Sequence, residues 1–265
     1  MTSQSKIYIA NAFTKGAFTG NPAAYIPLQE WPSDKVLQAL AQQNNLSETA
    51  FTVPHDQEDF EIRWFTPTTE VTLCGHATLA CAFIQFEILH IDSTVISFAS
   101  RSGRLTVTMK DHLYELNFPS DQIALNENIM IEYGSIFGTT PAEVYKGRDD
   151  LLLIYDSPQV IREMRPDFNA MHKIKMRGVI VSAADDGDYD FVSRAFYPQS
   201  GIDEDPATGS AHTTLTPYWS QRLGKSYLRG HQCSARGGYF SCHHLGDRTL
   251  ISGSCDLYLT GAIRY

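Results

Sequence analysis

No apolar run in the 265 residues approaches the roughly 20 needed to cross a bilayer, so no membrane span is expected. Met1 leads into the polar stretch "TSQSK" without a charged segment followed by an apolar one, and no secretory signal is expected. Positive charge is scarce. With 21 Lys and Arg against 30 Asp and Glu the formal net charge is −9, which argues against a nucleic acid or an anionic membrane as partner. An anionic small molecule stays open, because a helix N-terminus can hold a carboxylate without any lysine. Cysteine is sparse and odd in number: Cys74, Cys81, Cys233, Cys242 and Cys255. A disulfide framework is therefore not expected, and a cytoplasmic location is the default reading. Zinc-ligand spacing is missing too. "CHHLGD" from Cys242, with Cys233 upstream, matches neither paired C-x-x-C nor a C…H-x-x-x-H tail, and reads as strand residues on alternating faces; no metal is expected. "GAFTGN" is not a phosphate-binding loop, and no G-x-G-x-x-G follows a strand. Low-complexity and linker-like segments are absent.

What is present is the composition of a folded protein, 43% apolar and 19% charged, long enough for one large domain or two ordinary ones. Strand signals dominate the first 120 residues: "KIYIANAF", "AAYIPL", "ETAFTV", "FEIRWFT", "TVISFAS", "RLTVTM" and "LYELNF" are rich in β-branched or aromatic residues and bounded by Gly, Pro, Asp or Ser. "LLLIYD", "GVIVSA", "DFVSRAFY" and a run to Tyr265 continue the pattern. Helices are fewer. "SDKVLQALAQQN" starts with Ser33 as N-cap and sets Val36, Leu37 and Leu40 on one face; "NENIMIEYGSIFG" and "RPDFNAMHKIK" read as two more. The polar stretch Asn117 to Asn128 is the natural boundary, giving domains over 1–120 and 121–265, with the last few residues returning to the first.

Two segments resist the strand reading and resemble each other: "FTPTTEVTLCGHATLACAFIQFE" and "FYPQSGIDEDPATGSAHTTLTPYW". Each starts F-x-P, reaches a Gly, a polar residue and Ala, and enters a helix-like run. Gly75 and Gly209 are 134 residues apart (209 − 75), close to half the chain, a hint of internal duplication. A Gly-led turn lets backbone N–H groups approach a ligand, and the following helix aims its dipole there; two buried helices entered through tight turns would look the same.

The chemistry-bearing residues have competing readings. Cys74, at a helix N-terminus, has its thiolate favoured, but a free cysteine is usually buried and inert. Positions i and i+2 of a helical turn do not face each other, so a Cys74–His76 dyad is expected to be geometrically poor. His76, just after Gly75, sits where a dipole favours neutral imidazole, able to donate to an anion or relay a proton. Asp205, before Pro206, reads as an ordinary N-cap with proline at N1, or as a functional carboxylate; Ser210 could equally cap. Glu48 shares a strand face with Leu46, Ala50 and Thr52. Partial burial there favours its protonated form, the direction useful for general acid/base work, against the blander reading of an edge-strand glutamate facing solvent.

"FTGNPAAY" from Phe18, "LSETAF" from Leu46, "CGHATL" from Cys74 and "DEDPATGSAH" from Asp203 together resemble the PhzF-like phenazine-biosynthesis family, relatives of diaminopimelate epimerase. "QCSARGGY" from Gln232 is similar to that family's Gln…Arg-Gly-Gly segment. The resemblance runs from about Ile7 to the C-terminus. It implies an α+β fold of two similar domains, each a curved, barrel-like β-sheet around a central helix, with the active site in the interdomain cleft. It also implies a cofactor-independent isomerase that moves a proton between carbons of a small anionic metabolite. Carried over by position, Glu48 is the general acid/base, His76, Asp205 and Ser210 complete the catalytic set, and Asn21, Gly75 and Gly209 bind substrate. A homodimer is the expected assembly. The epimerase relatives use one cysteine from each half; "PATGS" has none, which sets aside a two-cysteine racemase. A cysteine-assisted amino-acid racemase centred on Cys74 and a non-catalytic metabolite-binding protein are the alternatives. The particular substrate is not specified by these residues.

Overall fold

The computed structural model describes residues 4–126 and 130–265, and its chain divides into two compact units: Met1–Asn117 with Ser252–Tyr265, and Phe118–Ile251. The first unit is built from β1 (Gln4–Thr14), β2 (Asn21–Pro27), α1 (Asp34–Asn44), β3 (Glu48–Pro54), β4 (Phe60–Phe65), the short β5 (Glu70–Val71), α2 (Gly75–Phe83), β6 (Val95–Ser100), β7 (Gly103–Lys110) and β8 (Leu113–Pro119). In the second lie β9 (Ala124–Leu125), α3 (Met130–Phe137), β10 (Glu143–Lys146), β11 (Asp150–Ile154), α4 (Pro158–Glu163), α5 (Phe168–Met171), β12 (Gly178–Ala184), β13 (Phe191–Phe196), α6 (Ala211–Leu223), β14 (Tyr227–Gln232) and β15 (Gly238–His244). The chain ends in β16 (Arg248–Arg264), which from Ser252 onward belongs to the first unit.

In the first unit the strands run in the order β16, β1, β2, β3, β4, β6, β7, β8, with β8 again beside β16, so eight strands close a ring. Closure removes the free edges that an open sheet would present. The final strand is the clasp, pairing antiparallel with β1 from Gln4↔Arg264 to Thr14↔Ser254. Inside the ring sits α2, where every residue from His76 to Phe83 is buried. Its sequence, "GHATLACAF", has no polar face and three alanines, which suits a helix enclosed on all sides by strands. A π-helical turn, Ile84–Ile88, continues it. On the outer face α1 covers the sheet, with Leu37 and Ala41 packed against Ala24, Ile26 and Phe51. Strand β2 is consequently buried on both faces, and reads as a near-continuous apolar run rather than an alternating one.

The second unit repeats the order of pairings. Across β1-β2-β3-β4-β6-β7 the pairs go antiparallel, parallel, antiparallel, parallel, antiparallel. Across β10-β11-β12-β13-β14-β15 they do the same. The buried helix here is α6, packed on β11, β12, β14 and β15. It contains Pro217, which cannot donate to the carbonyl four residues back. That carbonyl, of Thr213, accepts instead from the Asp121 backbone N–H at 3.0 Å, and the Asp121 carboxylate accepts from the Thr214 hydroxyl at 3.0 Å. The helix thus keeps its length without an orphaned carbonyl.

The helix expectations hold in part. "NENIMIEYGSIFG" becomes α3, and its start lies outside the described residues. "RPDFNAMHKIK" shrinks to the four-residue α5, capped by Asp167, whose carboxylate accepts from the Ala170 N–H at 3.0 Å. Helix α4 was not expected, although its signal was there: Ser157 caps it by accepting from Gln159 N–H and Pro158 opens it. Ser33 does stand at the N-cap of α1, but its side chain makes no capping hydrogen bond. Among the described residues no helix is long and apolar enough to cross a membrane.

Gly20 ends the loop that delivers Asn21 to β2. Its φ is +74°, and a Cβ there would stand 2.4 Å from the Ala12 carbonyl oxygen. The obstruction is backbone and cannot swing aside. Gly20→Ala is expected to destabilise the protein by about 2 kcal/mol or more, seen as a lower urea midpoint with unchanged slope.

Candidate active site

Strands β2 and β3 are parallel neighbours, with Ala23 opposite Glu48, so Asn21 and Glu48 stand at the same end of the sheet. The N-terminus of α2 lies at that end and brings His76 between them. Asn21 Nδ2 is 3.4 Å from His76 Nδ1, and Glu48 Oε2 is 3.2 Å from His76 Nε2. Glu48 is not on an edge strand. β3 pairs with β2 on one side and β4 on the other, and the glutamate side chain is only 14% exposed.

Cys74 joins this group, against expectation. Its Sγ lies 3.5 Å from His76 Nδ1. The i, i+2 rule does not apply because Cys74 is the N-cap, with extended backbone (φ −145°, ψ 104°), and only Gly75 onward is helical. The ligand atoms of Glu48, Cys74 and His76 all lie within 4.8 Å of one another, a donor set that a zinc ion could use. The arrangement is poor for that. Cys74 flanks Nδ1 while Glu48 flanks Nε2, and a cation can take only one ring nitrogen.

His76 is 5% exposed, and burial pushes its pKa down to about 3. The ring is therefore neutral near pH 7, and its closeness to Glu48 is a contact between a neutral imidazole and a carboxyl group, not an ion pair. Nε2 has no aligned hydrogen-bond acceptor even at this distance. A buried polar group left in that condition costs about 1–3 kcal/mol, which a ligand acceptor would recover. The remaining thiols are less suited to chemistry: burial raises those of Cys81 and Cys255, pushes Cys233 up to about 11 and Cys242 up to about 12. Cys242, His243 and His244 lie along β15.

Asp205, Ser210 and Gly209 are carried by the second unit, in the loop that leads into α6. Asp205 is neither N-cap nor followed by an N1 proline, because α6 begins only at Ala211. It is 7% exposed, its N–H donates to the Ala195 carbonyl at 3.0 Å, and its Oδ2 accepts from the Thr208 hydroxyl. Gln232, wholly buried, braces the loop: Nε2 donates to the Asp205 carbonyl at 2.7 Å, and Oε1 accepts from the Thr208 N–H at 2.9 Å. The Ser234 hydroxyl donates to the Pro206 carbonyl at 2.7 Å. Ser210 stands at the N-cap of α6 but makes no side-chain capping bond, and its Oγ lies 3.4 Å from Arg177 Nη2. Arg177 in turn holds Asp150 through both Nε and Nη2. Sequence reasoning assigned no role to Arg177 or Asp150, which lie 27 residues apart, Asp150 at the start of β11 and Arg177 just before β12. A separate cavity of about 420 Å³ in this unit, lined by Tyr133, Leu151 and three exposed lysines among others, contains none of the expected site residues.

A ring of strands closed around a buried helix in the first unit, the same order of pairings in the second, and a carboxyl group beside a neutral imidazole at the helix N-terminus together fit an isomerase. The phenazine biosynthesis-like protein family model matches residues 10–239, and the chain belongs to that family. It is 44% identical over 261 residues to an uncharacterized isomerase of Pseudomonas aeruginosa, covering 98% of this chain and 99% of the relative. An uncharacterized isomerase of Halalkalibacterium halodurans is 43% identical, with 93% and 94% covered. A solved PhzF-family phenazine biosynthesis protein of Enterococcus faecalis superposes with a TM-score of 0.92 at 40% identity, over 98% of this chain and 99% of that one.

Buried neutral histidines make acid stability a direct test. His76 titrates at about 3 and His212, buried in α6, at about 4 when folded, against about 6.5 for an unperturbed histidine. Below about pH 6.5 the unfolded chain takes up protons that the folded chain refuses, so stability falls as pH falls. Between pH 6 and pH 5 the loss is expected to approach about 1.4 kcal/mol per pH unit for each histidine. Urea midpoints across that range check it, and His212→Asn should remove about one proton's worth of slope.

Proposed function

We propose that this chain is a cofactor-independent isomerase that moves a proton between carbons of a small carboxylate-bearing metabolite, with Glu48 as general acid/base. The observation that carries the reading is the 3.2 Å approach of Glu48 to a buried, neutral His76 at the N-terminus of α2. Taking a proton from carbon needs a base whose charge is not cancelled by its neighbour, and a place for the new negative charge. An imidazolium beside Glu48 would favour the carboxylate and weaken it as a base; a neutral ring does not. The helix N-terminus and the imidazole N–H supply the electrostatic stabilisation. The isomerase names of the relatives support the same class of reaction. Asp205 and Ser210 are proposed to hydrogen-bond the substrate, with Gly75 and Gly209 as substrate-contacting positions and Asn21, fully buried, acting from the substrate-binding set through the His76 ring. Activity that survives dialysis against chelators, with no absorbance above 300 nm, would support independence from a cofactor.

Glu48→Gln keeps the shape and removes the titrating group. Exchange of substrate C–H for solvent deuterium, read by mass spectrometry over cyclic and unsaturated amino acids, is expected to fall by about a hundredfold to ten-thousandfold. Equal exchange in variant and parent would exclude Glu48 as the base. A second reading, a cysteine-assisted racemase, draws on the 3.5 Å Cys74–His76 approach. Cys74→Ser separates the two in the same assay: a racemase loses nearly all exchange, whereas the glutamate isomerase keeps most of it. A purely metabolite-binding protein would bind these compounds without exchanging them.

A symmetric homodimer is part of the proposal, on the prevalence of two-fold assemblies among soluble oligomers. Light scattering at micromolar concentration is expected to return about twice the 29.6 kDa of one chain, and a value near one chain would refute it.

A further inference from the structure

The two edges of the His76 ring are treated differently. Nδ1 faces two groups that carry hydrogen, the Asn21 side-chain amide nitrogen at 3.4 Å and the Cys74 thiol at 3.5 Å. An amide nitrogen can donate but not accept, so Asn21 asks Nδ1 to be the acceptor; a thiol can do either weakly, and Cys74 is compatible with that arrangement. In a neutral imidazole the single ring proton then resides on Nε2. Nε2 is buried with the ring, has no aligned partner, and lies on the Glu48 side. A buried donor without an acceptor is unusual enough to call for an explanation, and a ligand atom is one.

We propose that Asn21 is a positioning residue that sets the tautomer of His76: by donating to Nδ1 it keeps the ring proton on Nε2, where it is offered to the negative charge that forms on the substrate. The proposal deepens the isomerase reading and rests on it for its catalytic consequence. Asn21 is well placed to act this way. It is fully buried, it pairs with Ala12 across β1 and β2, and it follows Gly20, whose positive φ turns the chain into the strand. Its side chain therefore approaches His76 from a rigid strand rather than from a mobile loop. A carboxylate at position 21 would reverse the arrangement, since it accepts from Nδ1–H and draws the proton away from Nε2. It would also favour the imidazolium, which would pair with Glu48 and blunt it as a base.

Nitrogen NMR of protein carrying ¹⁵N-labelled histidine reads the tautomer without any substrate. The His76 signals are identified by their loss in His76→Gln. At pH 7 the expected spectrum has an unprotonated Nδ1 and a protonated Nε2. A protonated Nδ1 in the unaltered protein, alone or together with Nε2, would overturn the proposal, and this measurement does not depend on any position-21 variant folding. In Asn21→Asp, Nδ1 is expected to gain a proton, while kcat drops by about a hundredfold or more and KM changes little. A folded Asn21→Asp protein with an unchanged tautomer would also overturn it. Failure of the Glu48→Gln exchange test would remove the isomerase mechanism and leave the tautomer assignment standing, so the two are separable.

Discussion

The enclosure of α2 by a closed ring of strands is the constraint on which the site depends. A nine-residue helix with no polar face cannot lie on a surface, and the ring gives it a wall on every side. Its N-terminus emerges where β2 and β3 begin, and that geometry alone sets Asn21, Glu48 and His76 together. The same burial determines the chemistry. It strips water from His76, holds the ring neutral, and leaves a hydrogen-bond donor beside a carboxyl group. Stability and reactivity draw on one cause, the dehydration of a polar residue that an ordinary core would exclude.

The second unit uses the same device for a different end. Its helix α6 repeats the pattern of pairings around it, yet Asp205 is engaged by Thr208 in a loop pinned by Gln232 and Ser234. What the loop presents is a set of fixed hydrogen-bonding groups. The buried His212 is spent on structure: Nδ1 donates to the Thr208 carbonyl at 2.9 Å and the ring stacks on Phe240 at 3.6 Å between centroids. Two copies of one architecture have diverged in what they do with a histidine in the helix.

Much of this was legible beforehand because it rests on local pattern. The strand segments were set by β-branched and aromatic runs between turn residues, and the duplication showed in two F-x-P…Gly segments half a chain apart. The errors came from local rules applied past their range. The Cys74–His76 dyad was discounted by helix spacing, and the structure places Cys74 outside the helix with extended backbone. Asp205 was offered as an N-cap, and α6 begins six residues later, because the intervening loop is held by Gln232 rather than by capping. Helix α5 is one turn long because its sequence supplies a cap but no apolar face long enough to bury.

The sequence by itself determined the material: which segments form strands, which two are helix-like runs entered through Gly-led turns, and which few residues carry proton chemistry. Those properties follow from side-chain shape and hydration, which act over a few neighbours. Tertiary structure alone decided the pairings. Asn21 and His76 are 55 residues apart, and Gln232 is 24 from Thr208. Neither separation repeats at a helical or strand period, so no local signal could join them. Ring closure and parallel register bring them within hydrogen-bonding distance. Only there does burial turn an ordinary asparagine, glutamate and histidine into groups with assigned protons and directions.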